Sequence, residues 1–135
     1  MIAHDPRWPA IRSALSGLRE QRRFAVRIVD ADCGAGALLI RAVRHARMLG
    51  FTAIEGRGIS GSAAMIGRAR CAARRASDPA IGLEFASLTL DEALRAERDL
   101  PADILLWRGS ITAAVSQAAI LVIAQDDRTW LEKVA

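Results

Sequence analysis

The chain has 135 residues, of which 52% are hydrophobic and 25% are charged, a balance typical of a globular domain rather than a disordered segment. We therefore predict a single domain over 1–135, with an N-terminal helix in 1–23 and an α/β core in 24–135. No apolar run is long enough to span a membrane and the N-terminus lacks the apolar core of a signal peptide, so we expect a cytoplasmic protein with no membrane partner.

The formal net charge is +4, and nearly all of the positive charge is arginine, because Lys133 is the only lysine. The basic residues are spread over several predicted helices, and only three Phe and three Trp could stack on bases. We therefore expect solvated helix faces and do not expect nucleic acid as a partner. Cys33 and Cys71 lack a CxxC spacing, so neither a disulfide framework nor a metal site is expected.

Helix-like and strand-like patterns alternate along the first half of the chain. Apolar residues recur at helical spacing in 8–23 and 37–49, whereas 24–29 is rich in β-preferring residues. In chain order, the pattern predicts a helix over 8–23, a strand over 24–29, a helix over 37–49, a strand over 51–55 and a helix that begins at Ser60 or Ser62 and ends at about Arg75.

The second half continues the alternation and ends in a continuous apolar run, as a buried parallel strand would. The pattern predicts strands over 82–88, 103–107 and 119–124, and helices over 90–98, 111–117 and 126–134. Strands separated by helix-length segments imply right-handed βαβ crossovers. The sequence therefore predicts an α/β fold with a mainly parallel sheet.

A short glycine turn joins the first predicted strand to the next helix. It reads VDADCGAG over 29–36, with Asp30 at the strand end and glycines at 34 and 36. Glycines let the backbone turn sharply and approach a ligand, and the helix N-terminus behind them offers free amides and a positive dipole end. Two interpretations stay open at this point: a nucleotide-type binding turn, or a tight turn that only closes the βα unit.

The turn and the segments after it resemble class I S-adenosylmethionine-dependent methyltransferases. Residues 29–36 resemble that family's first motif, 54–70 (IEGRGISGSAAMIGRAR) its second strand and helix, 83–94 (LEFASLTLDEAL) its third strand and loop, and 101–109 (PADILLWRG) its fourth strand. The resemblance covers 24–109. It implies a three-layer α/β/α Rossmann-like domain with strand order 3-2-1-4-5 and S-adenosylmethionine lying across the carboxyl ends of the strands.

The same resemblance implies a set of cofactor-binding positions. Asp30, Gly34 and Gly36 match the glycine motif, while Asp32 stands where the family has its first glycine, near the methionine half of the cofactor. The remaining positions are Gly58 and Ile59 at the end of the second strand, and Leu88 and Thr89 in the loop after the third strand, where a family aspartate often meets the adenine.

The ribose position departs most from the family pattern. Gly58 aligns with the family carboxylate that accepts hydrogen bonds from both ribose hydroxyls, and Glu55 is the alternative residue for this role. On sequence alone, we expect Gly58→Asp to restore the acceptor, provided Gly58 does not have a positive φ. Together with Asp32, this gap predicts a methyltransferase-like protein whose cofactor binding is weakened or lost. The alternative is a non-catalytic interaction or small-molecule-binding protein on the same scaffold.

The apolar strand predicted over 119–124 favours self-association. The family usually adds two strands after the fifth, and this chain leaves no room for them, so the strand is expected at a sheet edge. We therefore predict a homodimer centred on this strand or on the helix that contains Trp130.

Overall fold

The computed structural model describes residues 5–125, which form five strands and five α-helices in alternation. In chain order they are α1 (Trp8–Glu20), β1 (Ala25–Asp30), α2 (Ala37–Met48), β2 (Ala53–Ser60), α3 (Ala63–Ala73), β3 (Ile81–Ser87), α4 (Leu90–Ala96), β4 (Ala102–Trp107), α5 (Ala113–Gln117) and β5 (Ala119–Ala124). A short 3-10 segment, Arg74–Ala76, follows α3. Among the described helices, none is both long and apolar enough to cross a membrane.

The five strands form one parallel sheet in the order β3-β2-β1-β4-β5, which confirms the predicted α/β fold and strand order. Asp30, at the end of the central strand β1, is in register with Gly58 of β2 and Leu106 of β4. The carboxyl ends of the three middle strands therefore meet at one edge of the sheet, directly below the glycine turn.

Helices cover both faces of the sheet, so that the strands are buried between two layers. On one face, apolar side chains of α1, α2 and α3 pack against inward-facing residues of the strands, such as Ile28 and Ile104. On the other face, α4 and α5 pack against the alternate residues, such as Val29 and Leu105. This period-2 alternation along β1 and β4 is what a parallel strand buried on both faces requires.

Strand β2 is longer than the sequence pattern predicts. The prediction of 51–55 is wrong in extent, because the strand continues through Gly56 and Gly58 to Ser60. Glycine is unfavourable in a strand interior, which favours an end at Glu55 when the sequence is read alone. Here, large side chains of β3 lie against both glycines, and a Cβ on Gly56 would come within 2.8 Å of Leu83. The glycines are in the strand because the packing across the sheet leaves no room for side chains.

The helix ends follow local capping interactions. The Ser62 hydroxyl accepts a hydrogen bond from the Met65 amide at 3.2 Å, so Ser62 rather than Ser60 caps α3. Helix α1 ends three residues earlier than predicted, and Arg22 adopts a φ of 63° in the turn that follows it. The predicted helix over 126–134 lies outside the described residues.

Candidate functional site

The predicted sharp turn between β1 and α2 is confirmed by its backbone. Gly34 has a φ of 53° and Gly36 a φ of 84°, both in the left-handed region that favours glycine. The Gly36 amide donates to the Cys33 carbonyl at 2.9 Å, and the Cys33 amide donates to the Ile59 carbonyl at 2.9 Å. The second bond joins the turn to the end of β2. Gly36 itself is the N-cap of α2, and no side chain caps that helix.

Asp30 is a buried carboxylate directly beneath this turn. Its side-chain Oδ1 accepts a hydrogen bond from the Asp32 amide at 3.2 Å, and the residue is only 1% exposed. Burial raises the pKa of Asp30 to about 6, although the positive charges of Arg7 and Arg108 act in the opposite direction. Asp32 itself is exposed at the surface of the turn. The two carboxylates therefore have different environments, one buried and one solvated.

Sequence reasoning missed Arg7, which the fold brings to the same edge of the sheet. Arg7 is 2% exposed, and its Nη1 donates to the carbonyl of Trp107, the last residue of β4, at 3.1 Å. The Asp5 carboxylate holds the guanidinium through Nη2–Oδ2 and Nε–Oδ1 contacts of 2.9 and 3.1 Å. Although burial opposes it, the hydrogen bonds from Arg7 lower the pKa of Asp5. A segment before α1 therefore places a buried cation near Asp30.

Phe85 fills the space beside the ribose candidate Gly58. Gly58 is in register with Phe85 across the sheet, and a Cβ on Gly58 would lie 2.5 Å from the ring Cδ1 and 3.0 Å from the Cys33 Sγ. A Cβ on Gly36 would lie 3.0 Å from Cε1 of the same ring. The φ of Gly58 is not positive, so the side-chain packing rather than the backbone excludes other residues there. Gly58→Asp alone cannot restore an acceptor unless Phe85 moves, contrary to the expectation from the sequence.

The structure separates the two rivals for the ribose position. Gly58 lies level with Asp30 at the turn, whereas Glu55 lies level with Arg27 in the first half of β2. The Glu55 side chain is 56% exposed and pairs with Arg27 at 3.2 Å. Of the two positions, only Gly58 is next to the glycine turn.

The other predicted site residues act mainly through their backbone or through capping. The Ile59 side chain is buried on the α4 side of the sheet, and only its carbonyl reaches the turn. The Leu88 amide donates to the Ser60 carbonyl at 3.3 Å. The Thr89 hydroxyl accepts from the Glu92 amide at 3.2 Å and so begins α4. The fold thus brings Asp30, Asp32, the turn glycines, Gly58 and Ile59 together, and places Leu88 and Thr89 in the neighbouring loop.

The Cys33 thiol is a poor nucleophile at this edge of the sheet. Burial, followed by the negative charge of Asp30, raises the pKa of the Cys33 thiol to about 12, so the thiolate is not formed near neutral pH. Within residues 5–125, no group of three or more His, Cys, Asp or Glu side chains is arranged to hold a metal ion. Cys33 is a packing residue within the turn.

Solved structures share this fold. A putative class I S-adenosylmethionine-dependent methyltransferase from Listeria monocytogenes superposes with a TM-score of 0.53 at 20% identity, over 78% of this chain and 32% of that one. MnmC2 from Aquifex aeolicus superposes with a TM-score of 0.50 at 13% identity, over 77% of this chain and 36% of that one. This chain thus spans about a third of the length of each. No protein-family model matches the sequence, and no curated protein matches it.

Proposed function

We propose that this chain is a methyltransferase-like domain in which S-adenosylmethionine binding is weakened or lost. The shared fold and the glycine turn support the methyltransferase-like part of the proposal. The single observation that carries the rest is the Phe85 ring, which packs against Gly58 and Gly36 where the resemblance places the cofactor's ribose.

The residues at the ribose position do not fit the cofactor. Gly58 has no side chain to accept hydrogen bonds from the two ribose hydroxyls, and the Phe85 ring occupies the neighbouring space. The loss of two charge-assisted hydrogen bonds corresponds to roughly 2–4 kcal/mol, or about thirtyfold to a thousandfold in affinity.

Asp30, the carboxylate beneath the glycine turn, is not a free partner for the positive charge of the cofactor. Arg7 and Arg108 already place positive charge near Asp30. An incoming ammonium or sulfonium therefore meets a carboxylate whose charge is already partly balanced by these arginines. Asp30 attracts such a cation less than an unpaired carboxylate would.

Calorimetric titration with S-adenosylmethionine and its demethylated product tests the proposal. Wild type is expected to bind weakly or not detectably. The double variant Gly58→Asp/Phe85→Ala has both a carboxylate for the ribose hydroxyls and the space for it. It should bind S-adenosylmethionine at least thirtyfold more tightly than Phe85→Ala alone. The matched control is Leu83→Ala, which opens a similar space beside Gly56, away from the turn. Low-micromolar binding by wild type would contradict the proposal.

A specific surface feature favours the alternative, a non-catalytic interaction protein. β5 is at the edge of the described sheet, and its Ile120 and Leu121 side chains are 80% and 43% exposed. An apolar edge strand with unpaired backbone groups is a favourable place for a second chain to dock. As the second candidate function, we propose self-association of two copies through β5.

A further inference from the structure

A groove on the outer surface of α1, α2 and the end of α3 begins at Ala37, the residue after the glycine turn, and extends along α2 to Met48. Its volume is about 740 Å³, within the range of small-molecule sites. The charged and polar side chains that line it are Arg12, Arg41, Arg44, His45 and Arg75. No carboxylate is found among these described lining residues. We call this feature the helix-face groove.

Three of its arginines have no carboxylate partner among the described residues. Arg12, Arg44 and Arg75 are exposed, and no ion pair joins any of them to a carboxylate within residues 5–125. Arg47, by contrast, lies next to the groove on α2 and is paired with Asp78 at 3.3 Å. Uncompensated positive charge in a concave surface attracts anions, because the low-dielectric walls concentrate the field.

The wall of the groove is fixed by aromatic packing. The Arg41 guanidinium lies 3.9 Å from the centre of the Trp8 ring, and His45 packs edge-on against the same ring at 5.4 Å. Burial, together with the charges of Arg12 and Arg41, lowers the pKa of His45, and its Nε2 is buried without a hydrogen-bond partner among the described residues. The positive charges are thus crowded enough to disfavour a further cation.

Part of the groove is apolar. The Met48 side chain is 82% exposed there, and Ala37, Ile40 and Ala72 complete an uncharged surface beside the arginines. An exposed methionine adapts its shape to a flat apolar ligand group. The groove therefore combines a cationic end with an apolar surface.

We propose that the helix-face groove binds a small organic phosphate of the size of a nucleoside diphosphate. Arg12, Arg44 and Arg75 would hold the phosphates, because the arginine fork matches phosphate oxygens. The base or another apolar group would lie on Met48. A polynucleotide is disfavoured because Trp8 is 9% exposed and already covered by Arg41, so it offers no ring face for stacking of successive bases.

Titration of the full chain with adenosine diphosphate and with inorganic pyrophosphate tests this site. Each of Arg12→Gln, Arg44→Gln and Arg75→Gln should weaken the binding of both compounds by about tenfold or more, since a charge-assisted hydrogen bond is lost. Met48→Gln should weaken the binding of the diphosphate and leave pyrophosphate unchanged. These side chains are exposed, so the variants should retain the wild-type melting temperature.

Two control variants distinguish binding in the groove from general charge attraction and from binding at the glycine turn. Arg95→Gln also removes one positive charge, at an exposed residue of α4 on the other face of the sheet, and should leave both affinities unchanged. Asp30→Asn removes the charge beneath the glycine turn and should also leave both affinities unchanged, because Asp30 does not line the groove. Weakening equal to that of Arg44→Gln would place the binding at the turn and would overturn the proposal. Equal weakening by Arg95→Gln would show general charge attraction and would overturn the proposal.

Two further results would also overturn it. One is the absence of detectable binding of adenosine diphosphate to wild type. The other is binding of single-stranded RNA that tightens as the strand is lengthened and depends on Arg44 and Arg75, while the diphosphate does not bind. That result would assign the surface to a polynucleotide.

Discussion

Replacing Asp30 by asparagine removes the charge from the buried carboxylate beneath the glycine turn while keeping its shape. The Oδ1 of asparagine can still accept the hydrogen bond from the Asp32 amide. The substitution therefore isolates the cost of holding a negative charge at this depth. Because the pKa of Asp30 is higher in the folded chain than in a solvated one, the folded state binds the proton more tightly, and stability is lost as the pH rises through this range.

The size of this effect follows from the two pKa values. The pKa of Asp30 is about 6 in the folded state and 3.8 in the reference state, a difference of about 2 units. Since one unit corresponds to about 1.4 kcal/mol, wild type should lose about 3 kcal/mol through this group between pH 4 and pH 7. At pH 3.5 the folded wild type is neutral at this position, and the two proteins should differ in stability by less than about 0.5 kcal/mol. At pH 7.5 Asp30→Asn should be more stable by up to about 3 kcal/mol.

Urea unfolding at a series of pH values, followed by tryptophan fluorescence, measures this difference. Other titrating groups affect both proteins equally, so the difference between the two stability curves reports Asp30 alone. Asp91→Asn on the exposed first turn of α4 is the control for a simple change in net charge. If Asp30→Asn is less stable than wild type at pH 7.5, and the deficit shrinks as the pH falls to 3.5, then attraction by Arg7 outweighs burial, contrary to the expected result.

Two further substitutions test other parts of the structure. Glu97 is 1% exposed and accepts hydrogen bonds from both Nη nitrogens of Arg27, so Glu97→Gln should lower the free energy of unfolding by about 3 kcal/mol. The control Glu84→Gln, at an exposed residue, should change it little, and equal urea midpoints for wild type and Glu97→Gln would contradict a stabilising pair. For the proposed dimer, sedimentation should show wild type as a dimer at high micromolar concentration and Ile120→Arg as a monomer. The control Met48→Arg, at an equally exposed apolar residue away from β5, should stay dimeric. A monomeric wild type would contradict the dimer.

Much of the fold follows from the sequence because its signals are local. The apolar run 119–124 and the periodic helix 37–49 can each be recognised without knowledge of the rest of the chain, and the alternation of the two patterns implies parallel crossovers. The positive φ of Gly34 and Gly36 could likewise be expected, since only glycine adopts such a turn without strain.

The state of the candidate site depends on contacts between residues far apart in sequence. Phe85 is 27 positions after Gly58, and Arg7 is 100 positions before Trp107. No local pattern indicates that a ring packs against Gly58, or that a cation from the N-terminal segment lies near Asp30. The pair of glycines at 56 and 58 is the available signal, but glycine marks the end of a strand as readily as a close approach between strands.

The sequence by itself determined the α/β class, the order of elements and the position of the glycine turn, since backbone propensity and hydrophobic period act over a few residues. Only the tertiary structure decided which side chains share a space. It placed Phe85 against Gly58, buried Asp30 so that its pKa rises, and gathered arginines from α1, α2 and the 3-10 segment into one groove. Burial, excluded volume and electrostatic interaction depend on distances in space, which are set when the helices pack onto the sheet.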